Sequence, residues 1–438
     1  MEWVVLGSFC GALVLGIVLD ISMLWALGLG LGLFWFYGRR KGFSWSELGR
    51  MTWEGVTTVW KILMTFLLIG VMTALWRAAG TVPMIVSSAA GLIRPGIFLL
   101  MCFLLNCVLS VLTGTSFGTS ATMGVICAAM GTALGVSPVL SGGAILSGVF
   151  FGDRCSPVST SALLTATVTG TNIYDNIRAM LRTAFVPFLL SCGIYGVLGF
   201  AVKGGGAGLE LRALFAGSFR LHWTTLLPAA VILVLAACRV NVRLAMIASI
   251  LSAVPVCLFV QGLPLQEVLL AGLRGFTPAD PRAAALVSGG GVLSMLNVSA
   301  IVCISSSYSG LFQKTGLLDG CKRGVTRLCG RIGRYPGTLV TSVLAGMVAC
   351  NQTLAILLTE QLCREEYPDR RELALDLEDT AAITSPLIPW CIAGAVPLTM
   401  VGAPLTALLT AAYLWLIPVW RCVWRRKGQG TGDGKYIL

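Results

Sequence analysis

Residues 151–161 read Phe151-Gly152-Asp153-Arg154-Cys155-Ser156-Pro157-Val158-Ser159-Thr160-Ser161, and they interrupt an apolar run that extends from 138 to 170. Pro157 lacks a backbone donor and disfavours helix at Ser156, so a regular helix breaks here. Gly152 permits an unusual turn. Asp153 is costly inside an apolar run, and an acid at membrane depth is functional unless a structural partner claims it. Two readings stand for Asp153. It is a working carboxylate, or it is half of an ion pair, with Arg154 or a distant Arg, that only holds the fold.

The chain around this stretch is not soluble in composition. Of its 438 residues, 56% are hydrophobic and 11% charged, against about 25% charged in an ordinary globular chain. That excludes a secreted disulfide domain, a disordered tail protein and a soluble nucleic-acid binder. The 31 Lys and Arg exceed the 19 Asp and Glu, but they sit at the ends of apolar segments, so the basic balance does not point to nucleic acid. The 15 cysteines are scattered without a C-x-x-C pair, and His222, beside Trp223, is the single histidine. Neither a zinc site nor a Ser-His-Asp triad can be assembled from these. The sequence implies no cofactor and no enzyme. Met1-Glu2-Trp3 lacks the basic cluster of a signal peptide, so the opening run is read as a retained helical hairpin.

A helix that crosses the hydrocarbon needs about 20 apolar residues. Runs of that kind lie near 3–19, 21–37, 56–76, 182–202, 223–238, 243–260, 283–303 and 403–420. The stretches 138–170 and 373–400 are apolar but broken by prolines and polar residues, and 95–134 and 336–363 are too long for one span. The last two carry polar breaks near their middles, GTSFGTS at 114–120 and CNQT at 350–353. In lipid, irregular backbone persists only where protein or a wet cavity surrounds it. We read both as hairpins that enter the membrane and return, although two ordinary spans with a polar loop give the same sidedness. With the 38–55 loop inside, 22 Lys and Arg fall on the cytoplasmic side and 7 on the other, as expected of ten spans, two hairpins and both termini inside.

The order span, span, span, hairpin, broken span, span occurs twice. Arg94-Pro95-Gly96 opens the first hairpin and Arg334-Tyr335-Pro336-Gly337 the second, while Ser156-Pro157 and Ser385-Pro386 mark the two broken spans. Five full spans per half is an odd number, so the second half must be inverted relative to the first. The expected fold is an all-α polytopic membrane protein of two inverted repeats, each with five spans, one of them broken, and a re-entrant helical hairpin. The first repeat is 1–202. The second is 203–438, which includes the Gly-rich linker at its start and a cytoplasmic C-terminal tail.

Inverted repeats with discontinuous helices are the architecture of secondary transporters, which bind substrate and coupling ions at the breaks. Unwound carbonyls and Ser or Thr hydroxyls coordinate cations, half-helix N-termini favour anions, and a buried carboxylate holds a cation or a proton. The candidates in the first half are Asp153, Ser156, Ser159 and Thr160, with Thr115, Ser116 and Thr119 at the first tip. The second-half site is drawn from Asn351, Gln352 and Thr353 at the matching tip, with Glu378, Asp379, Thr384 and Ser385. For Glu378 and Asp379 a cavity position and a position at the cytoplasmic boundary both stand. Asp376 is assigned to the solvated end, and Gly289-Gly290-Gly291 to helix packing.

Four motifs in order, GTSFGTSATMG at 114–124, GDRCSP at 152–157, NIYDNIR at 172–178 and TSPLIPW at 384–390, resemble the NhaC-type sodium/proton antiporter family of the ion-transporter superfamily. The resemblance runs from about residue 60 to residue 420. It implies exchange of Na⁺ against H⁺ in a cell membrane, with Asp153 as the Na⁺ candidate, and some relatives exchange small organic anions instead. The family's G-D-K-x-S-P pattern falls on Gly152, Asp153, Arg154, Ser156 and Pro157, with Arg in place of Lys. Its S-P-L-S-D-T-T run carries an Asp where this chain has Thr160. A carrier of an organic anion or amino acid coupled to Na⁺ or H⁺ is therefore the rival expectation. The partners implied are the lipid bilayer, a monovalent cation and protons, without nucleic acid, and a homodimer is left open.

Overall fold

A computed structural model of the chain describes residues 2–19, 22–92, 95–157, 159–201, 208–238, 240–315 and 322–430. Among these, helix is the recurring element and a lone bridge between Phe276 and Gly289 is the only β pairing. The first half runs α1 (Glu2–Val18), α2 (Met23–Arg40), α3 (Trp45–Thr58), α4 (Trp60–Ala78), α5 (Thr81–Leu92) and α6 (Pro95–Thr113). It continues through α7 (Ser116–Thr119), a π-turn (Ser120–Gly124), α8 (Val125–Ala133), α9 (Pro138–Cys155), α10 (Thr160–Thr169) and α11 (Ile173–Ala201). After α12 (Gly208–Ser218) come α13 (Leu227–Ala237), α14 (Val242–Pro255), α15 (Leu265–Arg274), α16 (Pro281–Val287), α17 (Leu296–Thr315) and α18 (Lys322–Ile332). The chain then passes through α19 (Arg334–Ala349), α20 (Gln352–Cys363), α21 (Arg370–Leu377), a second π-turn (Glu378–Ala382), α22 (Ile392–Met400) and α23 (Ala412–Gly430).

By length and apolarity, four helices among the described residues can cross a bilayer: Gly96–Thr113, Ile173–Phe200, Arg243–Val260 and Val292–Phe312. Two bent pairs also qualify if each is one broken span, Leu63–Ala78 with Thr81–Ser88 at 64° and Arg370–Leu387 with Ile392–Met400 at 53°. Val4–Leu13, Trp223–Leu235 and Ala412–Val423 are shorter apolar helices. Large apolar side chains such as Phe259 (82% exposed), Phe200 (79%) and Trp25 (73%) stand on the outer surface, the pattern of a protein whose solvent is lipid. Helices α5 and α18 lie outside the apolar runs of spanning length, ahead of the two long broken stretches.

Packing sorts the elements into two groups. Helices α2 and α3 pack on α17, and in matching fashion α14 and α15 pack on α4. Glycines make these contacts close: Gly55 lies against the backbone of Ser306 and Ser307, and Gly310 against that of Met51. The glycine run 289–291 is a left-handed break before α17, where the Gly291 N–H donates to the Gly70 carbonyl at 2.7 Å. A Cβ there would meet backbone, which is why only glycine fits. Phe9, Phe34, Tyr308 and Phe312 stack edge-on between α1, α2 and α17, with centroids 4.8–5.3 Å apart. The second group contains α6, α9, α10 and α11 with α20, α21, α22 and α23. Tyr195 joins its parts by donating to the carbonyls of Gly143 (3.1 Å) and Thr410 (2.9 Å).

Helix α3 is a short connector rather than the start of a span. Ser44 and Glu47 form a capping box, with the Ser44 N–H and hydroxyl donating to Glu47 at 2.7 and 2.8 Å. Those donors hold the Glu47 carboxyl below its ordinary range. On the same helix Lys314 of α17 donates to Glu54 and lowers that carboxyl too.

Candidate functional site

Helices end at both tips and before Pro157, where the sequence calls for breaks. Helix α6 ends at Gly114, whose φ of 63° needs no Cβ, and Thr115 caps α7 by accepting from the Gly118 N–H at 3.3 Å. Helix α9 ends at Cys155 because Pro157 cannot continue it, and Ser159 caps α10 by accepting from the Ala162 N–H at 3.4 Å. At the second tip Cys350 adopts φ 57° and Asn351 caps α20, accepting from the Leu354 N–H at 2.8 Å. Cys350 is the one non-glycine residue with positive φ among those described, and such strain concentrates at functional sites.

Each tip is tied to the broken span that follows it. In the first half Ser156 donates to the Val111 carbonyl at 2.7 Å, and Gly152 sits so close to Ser110 and Val111 that any Cβ would collide with their backbone. In the second half the Ile392 N–H donates to the Cys350 carbonyl at 2.9 Å, and the Trp390 indole to the Met347 carbonyl at 2.9 Å.

The two halves meet at Asp153, which is 4% exposed. Its Oδ1 accepts from the Ser116 N–H of the first tip at 3.4 Å. Its Oδ2 accepts from the Ser161 hydroxyl and from the Gln352 amide of the second tip, both at 3.2 Å. Gln352 also donates to the Ala382 carbonyl at 2.9 Å, which joins the second tip to the second π-turn. The Asp153 carbonyl accepts from Ser159 and, at 2.8 Å, from Ser161. All three donors to this carboxylate are neutral. The site therefore offers hard oxygens with no fixed counter-charge, which suits a monovalent cation or a proton.

Arg154, the next residue, serves a different partner. It is buried and pairs with Asp379, while also donating to the Thr183 hydroxyl at 2.8 Å and the Met180 carbonyl at 3.1 Å. Arg421 lies 3.5 Å from the other Asp379 oxygen and 3.4 Å from Asp376. Asp376 accepts from the Tyr367 hydroxyl at 2.7 Å. Two buried guanidinium groups thus balance two buried carboxylates across α9, α21, the second π-turn and α23. No ion pair of Asp153, with Arg154 or with a distant Arg, is present among the described residues; Arg154 pairs with Asp379 instead. Asp376 is fully buried rather than solvated, and Arg421 is 7% exposed.

The remaining candidates fall into three positions. Thr119 is buried at the first tip, where its hydroxyl meets Thr113 at 2.9 Å and donates to the Thr115 carbonyl at 2.9 Å. Ser385 donates to the Ala381 carbonyl at 2.6 Å, whereas the buried Thr384 hydroxyl has no hydrogen-bond partner. Thr160 and Thr353 are exposed. Glu378 is fully buried, and neither of its oxygens is hydrogen-bonded. Ser161, Arg421 and Asp376 were not among the candidates. The spacing of Asp376 and Asp379 was a usable signal, since acids three apart share a helix face and call for a common base.

Comparison with known proteins bears on this geometry. The chain matches the Na⁺/H⁺ antiporter family over residues 3–172 and 148–419. It is 28% identical to the malate-2H⁺/Na⁺-lactate antiporter of Bacillus subtilis, over 94% of this chain and 90% of that protein. It is 27% identical to the Na⁺/H⁺ antiporter NhaC of Alkalihalophilus pseudofirmus, over 90% of this chain and 88% of that one. The arginine/ornithine antiporter ArcD of Halobacterium salinarum is 26% identical over 93% of this chain and 86% of its own length.

Proposed function

The chain belongs to the Na⁺/H⁺ antiporter family, a family of membrane transporters rather than enzymes, and on that premise we propose that it exchanges Na⁺ for H⁺ by alternating access at Asp153. The observation that carries this reading is the convergence of both tips on one buried carboxylate: the Ser116 N–H from one side and the Gln352 amide from the other. A cation and a proton compete for the same oxygens, so occupancy by one expels the other and couples the two fluxes. Ser161 and the carbonyls at the breaks complete the oxygen set for the cation. The Arg154–Asp379–Arg421–Asp376 network holds the repeats in register and leaves Asp153 without a guanidinium.

The internal order of elements supports two inverted repeats, 1–202 and 203–438. Tip and broken span recur in both, and the packing of α2 and α3 on α17 mirrors that of α14 and α15 on α4. On this reading the tips belong to re-entrant hairpins and both termini are cytoplasmic in a bacterial plasma membrane. A second reading, exchange of small organic ions, is favoured by the names of the malate/lactate and arginine/ornithine relatives and by Thr160 where the family pattern has an acid. Everted vesicles separate the two. Na⁺, Li⁺ or K⁺ added alone collapses a preformed ΔpH if the cargo is a cation. Uptake of labelled malate, lactate or arginine against their counter-ions, with no response to cations alone, establishes the rival.

A further inference from the structure

Five acids are buried among the described residues, and their partners divide them. Asp379 and Asp376 are matched by Arg154 and Arg421. Asp153 is held by three neutral donors. Glu378 is held by none. It opens the second π-turn, a widened backbone of a kind that recurs at functional sites.

The surroundings of Glu378 are sparse. The groups that reach it are the Thr165 hydroxyl of α10, which is itself unpartnered, and the charges of Arg154, Asp153 and Asp379. From the other helices packed on this turn come Asp376 of α21, Arg421 of α23 and Tyr335 of α19, which donates to the Asp379 carbonyl at 3.3 Å. Helix α20 adds Glu360, which pairs with Arg364 at 3.5 Å. Both guanidinium groups are thus already engaged by the aspartates. A carboxylate that is fully buried with no ion pair of its own is costly as an anion and is relieved by acquiring a positive species. The hydroxyl that reaches it is that of Thr165, and a proton needs no further ligand there.

We infer that Glu378 is a dedicated proton carrier, separate from the cation site, and that each cycle moves one proton there in addition to the one displaced from Asp153. This rests on the reading of Asp153 given above. The coupling is Coulombic: a cation arriving at Asp153 brings a positive charge that favours loss of the proton from Glu378, and departure of the cation favours its return. The balance is two protons inward for one Na⁺ outward, with one net charge moved inward per cycle.

The test uses the full-length protein in proteoliposomes at zero voltage, titrating ΔpH against a fixed Na⁺ gradient until net flux vanishes. At two protons per Na⁺, a tenfold Na⁺ gradient balances about half a unit of ΔpH, and at one proton about one unit. The expected result is half a unit for the wild type and one unit for Glu378→Gln. A wild type that balances at one unit overturns the inference, as does a Glu378→Gln variant that keeps half a unit. A variant that is monodisperse like the wild type but has lost Na⁺-for-Na⁺ exchange, which needs no proton, also overturns it by placing Glu378 in the cation site. If the variant does not fold, the wild type is treated with a hydrophobic carbodiimide, which reacts with protonated buried carboxyls. Labelling of Glu378 that Na⁺ suppresses upholds the inference, and an unlabelled Glu378 refutes it. Failure of the Asp153 reading looks different, because the wild type then shows no cation exchange in either mode.

Discussion

Replacing Arg154 by Met tests the buried charge network most sharply. The structure has two guanidinium groups facing two carboxylates, with Asp379 shared between Arg154 and Arg421 and Asp376 served by Arg421. Without Arg154, one guanidinium must serve both aspartates and one buried negative charge is left over. Breaking a buried pair from one side costs about 3–5 kcal/mol. Asp379→Asn makes the opposite error and strands the Arg154 charge, at a similar cost. The double variant removes one charge of each sign and leaves Arg421 with Asp376. It should cost about as much as either single change, which makes the pair non-additive by at least about 2 kcal/mol. Equilibrium unfolding in mixed detergent micelles measures all four corners of this cycle. Single variants that each lose less than about 1 kcal/mol, or a double variant equal to the sum of the two, would refute the account.

Other consequences follow from single contacts. Gly152→Ala must push a Cβ into the backbone of Ser110 and Val111, so it should lower stability by about 1–3 kcal/mol or more, read as a lower melting temperature in detergent. Gln352→Ala removes the hydrogen bond that the second tip makes to Asp153. It should weaken apparent cation affinity several-fold, seen as a raised KM for the cation in vesicle assays. Glu54 is held low by Lys314, so its pair is complete at neutral pH and is lost only as pH falls through its lowered range. Glu54→Gln should therefore leave the transport pH profile between about 6 and 9 unmoved, and a shifted profile would show that the pair reaches the site.

How much of this was legible in the sequence depended on the kind of residue. The breaks at Gly114, Pro157 and Cys350-Asn351 stood out because glycine, proline and clustered polar side chains inside apolar runs permit few backbone paths. Asp153 stood out because an acid there is expensive. Helices α5 and α18 did not, because each is too short to give an apolar run of spanning length. The partners of Arg154 were invisible for another reason: Asp379 is 225 residues away, and only the tertiary fold brings the two together. Asp376 was misplaced because it stands at the end of an apolar run, where local sequence cannot tell a solvated charge from one folded inward. Thr160 is the converse case. It occupies a position the resemblance marks as acidic, yet it is exposed, and the hydroxyl on Asp153 comes from Ser161 one residue later.

Proton release on cation binding tests the central claim most directly. Purified wild-type protein in weakly buffered detergent solution receives Na⁺ while the external pH is recorded, and the same is done with Asp153→Asn. If both species compete for Asp153, the wild type acidifies the medium on each addition until saturation, and Asp153→Asn neither binds Na⁺ nor releases protons. Undiminished Na⁺-evoked proton release from a folded Asp153→Asn variant would contradict the account.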